Sequence, residues 1–197
     1  MVLASRVALL SILACISSIA NAELKLNVDY KFYSISPHHE SEIIQELNSK
    51  SPIRKEGRVA HGITRVNLQW RPVMLPRSQA CELTGIEAQL SLLYTLPQLE
   101  LSTPNSELKT AFDTSYEVLH THELGHGELA IQAAKAIESQ LVGMTHSEGC
   151  AALEQQAIAT AKQIYAHYKK MELEYDKLTD HGRQQSAVDT PIPAPNS

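Results

Sequence analysis

Apolar and polar residues alternate at the start of the chain. Leu24, Leu26, Val28, Tyr30 and Phe32 take every second position, the period of a strand buried on one face. Ser36-Pro37 opens a short helix in which Glu40 to Leu47 turn Ile43, Ile44 and Leu47 inward. Ser49 to Gly62 reads as a loop, with Pro52, Gly57 and several charges. Alternation returns from Ile63 to Trp70, with Thr64, Val66, Leu68 and Trp70 on one side, and Arg71-Pro72 ends the run. Cys81 to Pro97 holds one or two strands, the clearest being Ala88 to Leu96.

The second half changes period. Glu107 to Val142 contains no proline and is rich in Ala, Leu, Glu, Lys and Gln, all good helix formers. Asn105 or Ser106 can cap its start. Phe112, Tyr116, Leu119, His122, His126, Leu129, Ala133 and Ile137 form one helical stripe. Ser147 to Thr179 also lacks proline and reads as a second long helix, with Gly143 and Gly149 bracketing the turn before it. Two helices joined so closely run antiparallel. The expected class is α+β: a small antiparallel sheet followed by a long helical hairpin.

Within the stripe, His122-Glu123-Leu124-Gly125-His126 spells H-E-x-x-H. Positions i and i+4 share a helix face, so both imidazoles can grip one zinc ion. Glu123 lies beside them, where it can take a proton from a water that zinc has made acidic. Two half-buried histidines on an amphipathic helix are the competing reading; the intervening glutamate and the helical setting favour the metal. Gly125 and Gly127 each weaken the helix by roughly 1 kcal/mol relative to Ala. A close approach by another segment, or by a substrate, is expected there.

Catalytic zinc usually has three protein ligands. The metzincin extension is missing, because Leu129 and Gln132 stand where Gly and His would be needed. His181 is the first choice for the third ligand, placed just before Gly182, where the chain can turn back; Asp176 is second and Glu128 third. A hairpin folded about residues 145–146 sets His167 level with the motif and leaves His181 about ten residues farther, roughly 15 Å along the axis. His181 then reaches the metal only if the chain bends back. His167 reads as a surface or interhelical residue.

Export narrows the setting. Arg6, the apolar run Val7 to Ile19 and Ala20-Asn21-Ala22 form a signal peptide with cleavage after Ala22. Residues 23–183 then make one domain, and 184–197, with three prolines, a disordered tail. In a rival reading Ile12-Leu13-Ala14-Cys15 is a lipoprotein box with Cys15 lipidated. A soluble periplasmic or secreted protein is expected, without an integral membrane span. Cys81 and Cys150 remain, an even number that suggests one disulfide in an oxidising compartment. A net charge of −5 with scattered Lys and Arg gives no basic stripe for nucleic acid. Oligomeric state is left open.

These motifs together make the chain resemble a family of bacterial proteins described as predicted secreted zinc-dependent proteases. The resemblance runs through Tyr33-Ser34-Ile35-Ser36, Thr64 to Trp70, Cys81-Glu82-Leu83, Tyr94-Thr95-Leu96-Pro97, the H-E-x-x-H, Gly149-Cys150, and Tyr175-Asp176-Lys177-Leu178-Thr179-Asp180-His181-Gly182. It implies a zincin-like metallopeptidase acting on protein or peptide. Zinc would sit on His122, His126 and a third ligand taken as His181, with Glu123 as general base. Tyr175 or a free histidine would serve as oxyanion donor. By analogy, Ala88 to Leu96 would be the edge strand that pairs with an extended substrate. Two other readings stand beside it: a zincin-like zinc-binding module with a non-catalytic binding or assembly role, and a zinc hydrolase of non-peptide amides or esters.

Overall fold

The computed structural model describes residues 24–55, 57–100 and 106–184. The signal peptide, Cys15, Asn105 and the proline-rich tail from residue 185 onward lie outside the described residues. The elements follow in the order β1 (Lys25–Ile35), a 3-10 turn (Glu40–Glu42), α1 (Ile43–Lys50), β2 (Arg54–Lys55), β3 (Arg58–Val59), β4 (Ile63–Arg77), β5 (Ala80–Leu99), α2 (Ser106–Leu141), β6 (Thr145–His146) and α3 (Cys150–Leu178). The class is α+β.

β5 is the central strand, with β4 antiparallel on one side and β1 parallel on the other. The sheet is therefore mixed, where an antiparallel one was expected. The chain between β1 and β4 carries α1 and the β2–β3 hairpin, which gives it the length to return to the other side of β5. Ala88 to Leu96 lies inside β5, with both its edges taken. It cannot serve as the edge strand suggested by analogy.

β4 runs on past Arg71-Pro72 to Arg77. Pro72 and Pro76 are tolerated because β4 pairs only with β5 among the described residues, and an edge strand does not need every N–H in the ladder. A bulge between Val73 and Met74 shifts the register. The expected loop Ser49 to Gly62 contains the small β2–β3 hairpin. In α1, Ile43 and Leu47 are buried as expected, but Ile44 faces solvent.

One sheet face carries the core. Ile86, Ala88, Leu90, Leu92, Tyr94 and Leu96 point from β5 towards the helices. Ile137 and Leu141 of α2 and Leu153, Ala157 and Ala161 of α3 meet the Cys81 end of β5. Cys81 and Cys150 are joined by a disulfide, which fastens the start of α3 to the sheet. β6 pairs with Cys81 and Glu82 beside it.

Candidate metal centre

The register of the helical hairpin decides which residues meet. His122 stacks on Tyr175 with ring centroids 4.9 Å apart, and Leu129 shares a cluster with Tyr168. The hairpin therefore folds about Glu148 and Gly149, some three residues later than expected, because β6 draws the connection out along β5 before α3 begins. The shift brings Asp176 level with the motif. His167 is exposed beside Tyr168 and away from the site.

Three donor atoms converge. His122 Nε2 and His126 Nε2 are 3.3 Å apart. Asp176 Oδ1 lies 3.3 Å from the first and 3.1 Å from the second. Zinc–nitrogen and zinc–oxygen bonds of about 2.0–2.1 Å at tetrahedral angles place ligand atoms about 3.3 Å apart. The triangle thus has the dimensions of one face of a tetrahedral site. Two imidazoles and a carboxylate suit zinc as a donor set, and suit iron(II) as well.

Two of the donors are held by neighbours. Thr179 Oγ1 donates to the Tyr175 carbonyl at 2.8 Å and lies 3.2 Å from His122 Nδ1. With its one proton committed, that hydroxyl accepts from Nδ1–H, which leaves His122 Nε2 unprotonated towards the triangle. Lys55, at the end of β2, donates to Asp176 Oδ2 at 2.6 Å, so only Oδ1 is turned to the histidines. Burial alone would raise the Asp176 carboxyl. The close approach of His122, His126 and Lys55 outweighs it and holds the group well below the usual carboxylate range.

Glu123 is buried, and its Oε2 lies 2.7 Å from the hydroxyl of Thr64 on β4. Gly62 packs against it: a Cβ there would sit 2.9 Å from Glu123 Oε1. The two helix glycines have the reason expected of them. A Cβ at Gly125 would fall 2.3 Å from Tyr175 Oη, and one at Gly127 2.0 Å from Tyr94 Oη. Tyr175 donates to the His122 carbonyl at 3.2 Å, which engages the hydroxyl offered as an oxyanion donor.

His181 follows the end of α3 with φ +53°, and its amide donates to the Asp176 carbonyl at 2.7 Å. The bend back at Gly182 does occur, close enough that a Cβ there would lie 3.0 Å from His122 Cγ. It leaves the His181 side chain 58 % exposed at the rim, with Nδ1 3.6 Å from Asp176 Oδ1. The group whose ligand atoms all lie within 4.8 Å of one another is His122, His126 and Asp176. Glu128 instead accepts from Gln132 on α2. Lys55, Thr64 and Thr179 were not singled out from the sequence. Thr179 lay inside the tail motif and Thr64 at the start of the motif Thr64 to Trp70, neither with a role assigned; nothing in the pattern around Lys55 marks it.

Residues 30–182 match the model of a family described as "Bacterial protein of unknown function (DUF922)". That span contains every residue of the site. No curated protein and no solved structure matches this chain.

Proposed function

The chain belongs to the bacterial DUF922 family of unknown function, and on that premise we propose that it is a zincin-like, zinc-dependent peptidase working outside the cytoplasm. One observation carries the reading: His122 Nε2, His126 Nε2 and Asp176 Oδ1 stand 3.1–3.3 Å apart, beside a buried glutamate one residue along the same helix. In this reading those three atoms bind the metal, and Asp176 takes the place that the sequence pattern gave first to His181. Bound zinc would supply an acidified water and a Lewis acid for a carbonyl oxygen.

The chain's own residues do the rest. Thr179 fixes the tautomer of His122. Lys55 holds Asp176 Oδ2, so that Oδ1 alone would face a bound metal. Glu123, oriented by Thr64, accepts the proton of the attacking water and returns it to the leaving amine. His181, exposed at the rim, is the histidine free to meet the developing oxyanion. The Cys81–Cys150 disulfide is compatible with an oxidising compartment, and among the described residues no helix is long and apolar enough to cross a membrane.

Glu123→Gln tests the reading. Zinc content should stay near one equivalent while cleavage of a peptide library falls by at least about a hundredfold. The burial of Glu123 against Thr64 and Gly62 favours a second reading, a non-catalytic zinc-binding module. In that case Glu123→Gln is silent and no peptide is cut by the unaltered protein.

A further inference from the structure

β1 is an open edge. Among the described residues it pairs only with β5. Its eleven residues run in unbroken register from Lys25↔Gln89 to Ile35↔Leu99, without proline or bulge. Bulges, prolines and short length, which commonly protect edges, are missing, and only the charges of Lys25, Asp29 and Lys31 interrupt the strand. Leu26, Val28, Tyr30 and Phe32 pair with Leu90, Leu92, Tyr94 and Leu96, so they continue the apolar face of the sheet. The long helices lie over β5 and β4, and these four side chains stay 43–45 % exposed. An extended apolar strip beside unpaired backbone is a surface made for another strand.

We propose that β1 is the interface of a twofold dimer, in which β1 of one copy pairs antiparallel with β1 of a second. Charge selects both the occupant and the register. Side chains alternate between faces, so only registers centred on a residue keep the apolar strips of the two copies together. Centring on Asp29 opposes Asp29 to its own copy, and centring on Lys31 opposes Lys31 to its own copy. Centring on Tyr30, the middle residue of the strand, sets Asp29 against Lys31 twice on the outer face. On the helix-facing side it sets Tyr30 against Tyr30 and Val28 against Phe32. The strand is complementary to itself in that register and repels itself in the two adjacent ones. Such an interface is isologous and closes at two copies, joining the sheets in the order β4-β5-β1-β1-β5-β4.

Sedimentation velocity on the purified protein tests this. The unaltered chain should sediment as a dimer that dissociates on dilution. Asp29→Lys places four lysines together and should raise the dissociation constant roughly tenfold or more. The exchange Asp29→Lys with Lys31→Asp restores both pairs and should restore the dimer. Circular dichroism should be the same for all three. A wild-type monomer at every concentration overturns the proposal, including one that takes up a peptide along β1. So does a dimer indifferent to Asp29→Lys, or a double exchange that fails to recover association.

Discussion

At the residue scale the site turns on one carboxylate. Asp176 is buried among His122, His126 and Lys55, while His181 is exposed beside it. Asp176→Ala should therefore lower zinc affinity far more than His181→Ala, and equilibrium titration with a competing chelator measures both. Thr179→Val removes the hydroxyl that sets the His122 tautomer; losing the hydrogen bond behind a metal-ligating histidine weakens metal binding about 10- to 100-fold. The same carboxyl governs acid stability without metal. A group lowered in the folded state stabilises above its unfolded value of about 4, and that stability is lost as pH falls towards the folded value. The metal-free protein should weaken below about pH 4, and Asp176→Asn should flatten that limb in urea midpoints taken across the range. Parallel limbs would contradict the assignment. His122, Glu123 and His126 were legible because a helix writes i and i+4 into sequence. Lys55 and Thr64 were not, since they arrive across the fold and strand periodicity says nothing of which helix residue they meet.

At the scale of elements, the helical hairpin sets the site and the glycines set the hairpin. Alanine in place of Gly127 would favour the helix by about 1 kcal/mol, yet its Cβ would fall 2.0 Å from Tyr94 Oη. Tyr94 is buried and its ring stacks on Tyr30, so it has little room to withdraw. Overpacking of this kind costs about 1–3 kcal/mol. Gly127→Ala should be destabilising in urea unfolding, with part of the loss recovered when Tyr94→Phe is added. A gain in stability would show that Tyr94 moves freely. The extents of α2 and α3 were readable from the lack of proline. The register was not: the eight residues between Leu141 and Cys150 give no hint that β6 pairs with β5 and moves the fold point. The same holds for β4, where Pro72 looked like a stop and proved an edge position.

At the scale of the molecule, the sheet and the hairpin are tied at the end away from the metal site. The Cys81–Cys150 disulfide closes a separation of 69 residues, worth about 4 kcal/mol by loop entropy. Serine at both positions should lower the urea midpoint while leaving zinc stoichiometry unchanged. Alternation along the sequence foretold β1, β4, β5 and the class, but pairing partners are set by long-range contact, and so the parallel β1–β5 pair was hidden. In the proposed reading His122, His126 and Asp176 form one zinc site. Elemental analysis of the purified protein tests it most directly, alongside Asp176→Ala and His122→Ala. Close to one zinc per chain is expected, absent from both variants while circular dichroism stays native. No bound metal, iron in place of zinc, or zinc retained in both variants would contradict it.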